Sequence, residues 1–303
     1  MSILVVGSVA LDSVETPFGK VDEVLGGSGT YFSTSASFFT DVNLVAVVGE
    51  DFPQKHIDFL ASRQVDLSGL STAAGKTFRW SGSYGYDLNE ANTLDTQLNV
   101  FASFCPKLPE SYLNAEYVFL ANIDPELQLD VLKQVVRPKV VACDTMNFWI
   151  DGKRDELIQT LKYVDILLIN DGEVRQLADE SNMIKAAKIV LAMGPKTLVV
   201  KRGEYGATMF TEHGVFSAPA YPLESVYDPT GAGDTFAGGF MGYLASVRDH
   251  SDAAMRQAIV FGSVMASFNV EDFSLDRMRS LEFDEVRDRY RKFQLLTTFN
   301  GID

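Results

Sequence analysis

Short apolar runs, each ended by a turn or an acid and followed by a helix-like pattern, recur along most of this chain. Ile3–Val6, Leu44–Val48, Tyr117–Leu120, Val140–Cys143, Ile166–Ile169 and Thr197–Val200 are such runs. Uniformly apolar and short, they read as strands buried on both faces, the property of a parallel sheet. Parallel strands need a long return connection, usually a helix, so the alternation predicts an α/β sandwich with a mainly parallel central sheet. One stretch breaks the rhythm. From Thr77 to about Phe104, the residues Phe78, Trp80, Tyr84 and Tyr86 are spaced by multiples of two, and Gln97–Phe101 follows after Asp87–Asp95. Aromatic and polar alternation predicts antiparallel strands there. With 303 residues, one large core plus a small β-rich appendage is the natural division.

Charge narrows the partners. The formal net charge is −15 with 22% charged residues, and no lysine/arginine block relieves it. Such a surface repels nucleic acid and anionic membrane. Cys105 and Cys143 are too few and too distant for a disulfide framework or a zinc site, and His56, His213 and His250 are scattered. The chain enters its first strand without a basic, apolar leader, and no run approaches membrane-spanning length. A reducing cytoplasm is the expected compartment.

The stretch that carries chemistry is Asp228-Pro229-Thr230-Gly231-Ala232-Gly233-Asp234-Thr235-Phe236-Ala237-Gly238-Gly239-Phe240. A glycine-rich turn leads into a helix pattern from about Asp234 to Val247. Gly231 and Gly233 let backbone approach a ligand closely, and the new helix points free N–H groups and its positive dipole end into the turn. That builds an anion site. A carboxylate, Asp234, stands in the same first turn, which suits a reaction where an alcohol loses its proton beside a phosphate. Glycines and a capping acid before any helix would be the structural alternative.

The full string resembles the C-terminal signature of the ribokinase-type (phosphofructokinase-B) carbohydrate kinase family, which also holds nucleoside kinases. Leu25-Gly26-Gly27-Ser28-Gly29-Thr30 resembles that family's N-terminal signature, with Tyr31 where the family usually has asparagine. Val48-Gly49-Glu50-Asp51 resembles a further family motif. Asp144-Thr145-Met146-Asn147 is similar to a loop near the transferred phosphate. Asn170-Asp171-Gly172-Glu173 is similar to a motif that positions magnesium through water, with Asn170 as a helix cap and Glu173 in the first turn as the competing explanation. Thr197–Gly206 resembles the nucleotide-phosphate loop, with Lys201 where threonine or serine is common. Gly69–Thr77 mimics a P-loop, but five residues separate its glycines and no apolar strand precedes it, so it is rejected.

The resemblance implies a ribokinase-like three-layer α/β/α fold with a lid. Residues 1–12, 25–76 and 104–303 would form the large ATP-binding domain, and 13–24 with 77–103 the β lid. It implies an ATP-dependent kinase in which Asp234 accepts the proton and Gly231, Ala232 and Gly233 hold the transferring phosphoryl. Asp12, Gly26, Gly27, Tyr31 and Asn147 would bind the acceptor. Asn170, Lys201, Gly203, Gly206 and Thr230 would bind ATP. Glu173 would hold magnesium through water, and Asp228 matches one ligand of a potassium ion found in many relatives. The expected acceptor is a small unphosphorylated sugar, with a nucleoside as the alternative because Tyr31, Phe78, Trp80, Tyr84 and Phe101 offer aromatic faces. A non-catalytic sugar- or nucleotide-sensing protein is the third reading. A homodimer through the lid is the expected assembly.

Overall fold

The computed structural model describes residues 2–89 and 91–298. Strands are β1 (Ser2–Val6), β2 (Ala10–Thr16), β3 (Gly19–Gly26), β4 (Asp41–Gly49), β5 (Val65–Ala73), β6 (Phe78–Tyr84), β7 (Ala91–Gln97), β8 (Tyr117–Leu120), β9 (Val140–Cys143), β10 (Ile166–Asn170), β11 (Thr197–Lys201), β12 (Ala207–Thr211) and β13 (Gly214–Ala218). Helices are α1 (Ser28–Ala36), α2 (Gln54–Ser62), α3 (Pro125–Gln134), α4 (Asn147–Gly152), α5 (Arg154–Leu161), α6 (Asp171–Ala178), α7 (Met183–Leu191), α8 (Ala232–Val247), α9 (Asp252–Asn269), α10 (Asp276–Ser280) and α11 (Phe283–Thr297).

A nine-stranded sheet runs in the order β13-β12-β11-β10-β9-β8-β1-β4-β5. It is parallel from β5 to β11 and antiparallel only at the β12–β13 edge. Alternate residues of each strand feed two cores. Ile3 and Val5 pack with Phe32, Phe119 and Phe240 under α1, α8 and α9, while Leu4 and Val6 pack with Val131, Leu157 and Leu177 under α3, α5 and α6. Both faces being covered explains why these strands contain no polar alternation. The apparent P-loop is strand β5 at the sheet edge, running into the Gly75 turn.

The second sheet has four strands in the order β3-β2-β6-β7. Its strands come from residues 10–26 and 78–97, and two placements differ from the pattern. Its second hairpin strand is β7, not Gln97–Phe101. Residues 91–97 are exposed throughout and pair with β6 through the backbone ladder and one side-chain bond, Trp80 Nε1–H to Thr93 Oγ1, so no hydrophobic period could reveal them. Asn99–Ser103 instead forms a 3₁₀ turn, with Val100 and Phe104 buried in the large core and Phe101 stacked on Phe78 at 5.4 Å. Asp12, grouped with the large domain by the sequence reading, also lies inside β2 of the smaller sheet, in register with Trp80 of β6.

Candidate active site

Three adjacent parallel strands deliver polar groups to one edge of the large sheet. Asp144 follows β9, Asn170 ends β10 and Lys201 ends β11. Open α/β sheets hold ligands at these carboxyl ends. Facing them is the start of α8. Its cap, Gly231, has φ +73°, and a Cβ there would lie 2.3 Å from the Tyr31 ring, so glycine is required by both backbone and space. Ala232 N–H bonds back to Pro229 O at 3.1 Å, which leaves Gly231 and Gly233 as the better placed donors of the expected three.

Lys201 reaches under this turn. Its Nζ is 2.7 Å from Asp144 Oδ2, and a Cβ on Gly233 would sit 3.1 Å from the same Nζ. Burial works to discharge Lys201, but the charges of Asp144, Glu173 and Asp234 outweigh it and hold its pKa above the ordinary value. Asp234 is half-buried, and burial together with Asp144 pushes its carboxyl up to about 7 against the opposing pull of Lys201. That is a useful value for a base working near neutrality.

The smaller sheet closes the cleft from above. Asp12 is buried, its carboxylate lying where a Cβ on Gly26 would be, 1.9 Å from Oδ2. Burial raises Asp12 to about 7, opposed by the Gly27 N–H and reinforced by Asp228 and Asp234. Gly27 (φ +96°) caps α1, and Ser8 and Ser28 exchange backbone-to-hydroxyl bonds of 3.2 and 3.0 Å that clamp this corner to β1. Tyr31 is 2% exposed, its hydroxyl finds no hydrogen-bond partner among the described residues, and burial with Asp12 and Asp228 nearby raises its pKa. An orphaned buried hydroxyl is costly unless something completes it. Tyr84, at the end of β6, brings its hydroxyl to 3.3 Å from Thr230 Oγ1. Asn89, further along the same connection, lies against Gly203, where a Cβ would meet its Oδ1 at 1.8 Å.

Other expected site residues have mainly local partners. Asp228 Oδ1 accepts from Thr230 N–H and Oδ2 from Ser274 N–H, so it ties the signature turn to the segment before α10. Asn269 donates to Thr230 O and accepts from Thr235, fixing the same turn from α9. Asn170 and Glu173 form a reciprocal capping box at α6, each bond 2.8 Å. Burial and Asp144 nevertheless raise Glu173 to about 7, because it also faces the cluster. Gly206 (φ +90°) is needed by the β11–β12 turn, where a Cβ would meet Ala218 O at 2.1 Å. Asn147 is exposed, and its side-chain oxygen accepts from Phe148 N–H at 2.9 Å.

Two residues take a more specific place than the sequence reading assigned them. Asp144 was placed in the loop near the transferred phosphate, but the site role went to Asn147, although Asp144 follows a buried strand directly at its carboxyl end. Tyr84 was one aromatic among several, and nothing in the pattern singles it out.

Among the described residues, no three histidine, cysteine or acidic side chains converge as a metal cage. Magnesium typically binds through one or two carboxylates, several waters and substrate phosphates, so the donor set fits an ion that arrives with ATP and reaches Glu173 through water. No helix among the described residues is long and apolar enough to cross a membrane.

The sequence profile of the pfkB family carbohydrate kinases matches residues 2–279. A cytidine kinase from Thermococcus kodakarensis is 31% identical over 247 residues, covering 80% of this chain and 87% of that protein. Among solved structures, the nucleoside kinase of Methanocaldococcus jannaschii superposes with a TM-score of 0.78 at 21% identity, covering 96% of this chain and 98% of that one. A putative ribokinase II from E. coli, solved with ATP and Mg2+, gives 0.77 at 20% identity over 96% and 99%. The fold is therefore ribokinase-like, with the smaller sheet as its lid.

Proposed function

This chain belongs to the pfkB family of carbohydrate kinases, and we propose that within it the chain transfers the γ-phosphoryl group of ATP to a hydroxyl of a nucleoside. The observation that carries this reading is the meeting of Asp234 and the Gly231–Gly233 turn with Asp12 and Tyr31 across one cleft. Asp12 and the Gly26–Gly27 corner hold vicinal hydroxyls of the acceptor. Asp234 takes the proton of the attacking hydroxyl. That oxygen forms its bond to the γ-phosphorus as the bond to the β–γ bridging oxygen breaks, and ADP leaves with the electron pair. The N–H groups of Gly231 and Gly233 meet the negative charge on the transferring group. Nucleotide phosphates lie along Thr230, Asn170, Lys201 and the Gly203–Gly206 turn. Magnesium, when bound, neutralises phosphate charge in a cleft already crowded with carboxylates, and Glu173 would hold it through water.

The nucleoside is preferred over the free sugar first expected for two reasons. The cytidine and nucleoside kinases above are similar over most of the chain. Tyr31 also sets an aromatic ring and an uncompleted hydroxyl beside Asp12, more than a small sugar needs. A free sugar remains the second reading, because Asp12 would serve a furanose equally. A coupled ADP-release screen with magnesium and potassium decides, run on ribonucleosides, pentoses, hexoses, inositols and sugar phosphates. A ribonucleoside should give the highest kcat/KM; a free sugar that outperforms every nucleoside would overturn the preference.

A further inference from the structure

The buried pair of Lys201 and Asp144 is an expensive arrangement for a protein interior. Taking two charges out of water costs several kcal/mol per ion, and an apolar pair of similar volume is often no less stable. Position suggests what the pair is for. Lys201 ends β11 and Asp144 follows β9, so the two reach toward each other past the end of the intervening β10. One N–H of the ammonium is used on Asp144 Oδ2 at 2.7 Å. An ammonium has three donors. The remaining two lie beside Gly233, in the field of Asp234 and Glu173, where a Cβ on Gly233 would come within 3.1 Å of Nζ. Asp144 is itself held rigidly: its Oδ1 accepts from Thr145 N–H at 2.8 Å, and its carbonyl accepts from the buried Gln128 amide at 3.0 Å.

We propose that Lys201 is the cation that holds the γ-phosphoryl group itself, and that Asp144 is a positioning residue that keeps the ammonium aimed at the Gly233 turn. The idea rests on the kinase reading and deepens it. In the ligand-free protein Lys201 is held by Asp144. When the phosphoryl arrives between the turn and Asp234, the two remaining N–H groups donate to its oxygens while the Asp144 contact persists. Carboxylates surround this point: Asp144, Glu173 and Asp234 all act on Lys201, and Asp12 and Asp228 stand across the cleft. A fixed positive charge there offsets repulsion that would otherwise keep a phosphate out. Because the ammonium lies at the transfer point, it should distinguish a nucleotide with a γ-phosphate from one without.

The test separates this role from a purely structural ion pair. Lys201→Met alone strands a buried carboxylate, so it is combined with Asp144→Asn, which leaves a neutral pair of similar size. The double variant should melt within a few degrees of the wild type and bind ADP within about threefold of it. It should bind a non-hydrolysable ATP analogue with magnesium at least tenfold more weakly and turn over at least a hundredfold more slowly. Activity within tenfold of wild type would reduce the lysine to a structural partner. Equal losses for ADP and the analogue would refute the γ-specific contact. A direct reading comes from the intact protein: the 15N resonance of the Lys201 ammonium, assigned by its absence in Lys201→Arg, should move with the analogue and stay with ADP. A resonance that moves equally with both, or with neither, overturns the proposal whether or not the double variant folds. Wild-type protein that discriminates the analogue through Lys201 yet phosphorylates no acceptor would sink the kinase reading and leave the γ-phosphate site standing.

Discussion

The two walls of the cleft are built by opposite means. The lower wall is the carboxyl edge of the large sheet and the start of α8, and each part of it continues directly into core. Thr235, Phe236 and Ala237, the three residues that follow Asp234, are buried, and Asn269 and Asp228 pin the turn before it. The upper wall is the lid sheet, whose β7 is exposed along its length. It meets the signature turn and the β11–β12 turn through the Tyr84–Thr230 bond and the approach of Asn89 to Gly203. A wall fixed by packing holds chemistry to a narrow geometry, whereas a wall fixed by a few polar contacts opens and closes at small cost. The reaction type is therefore expected to depend on the lower wall, and the choice of acceptor on the upper one together with Tyr31.

The largest effect should come from the lower wall. Asp234→Asn is expected to fold, to bind ATP, and to lose about 10²–10⁴-fold in kcat as the proton acceptor disappears. A loss below tenfold with the preferred acceptor would remove Asp234 from that role. Gly233→Val should be at least as damaging, because its Cβ would already stand 3.1 Å from Lys201 Nζ before its methyl groups are placed. Full activity in that variant would mean that no anion passes the turn.

Tyr31 joins the two walls, its ring on Gly231 and its hydroxyl among the acids. Tyr31→Phe removes an orphaned buried hydroxyl, so the ligand-free protein should be no less stable. With the preferred nucleoside, kcat/KM should fall by about tenfold, the scale at which a hydrogen bond made only to substrate discriminates. The ratio of nucleoside to free-sugar activity should fall with it. An unchanged ratio would show that Tyr31 packs beneath the site without reading the acceptor.

What was legible in the sequence follows the same division. Buried parallel strands announce themselves as apolar runs, and the turn before α8 needs glycine at Gly231 for both its φ and the Tyr31 ring, so the large sheet and the signature could be read directly. Strand β7 carries no such mark, because Ala91–Gln97 is exposed at every position. Asp12 was recognised as a site residue but grouped with the large domain, whereas it sits inside β2, paired with Val24 of β3 and with Trp80 of β6, the latter far along the chain. Asp144 was read within its motif but given no role of its own, for a related reason. Its importance lies in its contact with Lys201, 57 positions away, and no local pattern records a contact of that range.

Acidity at the junction of the walls has a cost that pH should expose. Burial raises Asp12, Glu173 and Asp234 to about 7 in the folded protein, from ordinary values near 4. Between about pH 4 and 7 the folded state therefore holds protons that the unfolded chain has released. Stability from these groups is fully present below about pH 4 and is lost as pH rises through 7. Asp12→Asn should consequently raise the melting temperature of the ligand-free protein by at least about 3 °C at pH 8, and by much less at pH 4.5. The same gain at both pH values, or a loss at pH 8, would contradict a carboxyl held neutral by burial.

The smallest effects belong to the lid. Amides of β6 and β7 should exchange quickly in the ligand-free protein, since four strands with an open edge bury little, and should slow when ATP and acceptor are both present. Amides of β8 to β11 should be protected from the start and change little, because both faces of those strands lie in core. Tyr84→Phe removes the lid's hydroxyl contact with Thr230 and nothing from the large core. It is expected to lower kcat/KM by about three- to tenfold, the worth of one neutral hydrogen bond, while leaving the melting temperature within about 1 °C. Exchange in β6 and β7 that is slow without ligand and insensitive to it would make the lid a fixed wall. Acceptor choice would then rest on Tyr31 and Asp12 alone, and the contrast between the two walls would fail.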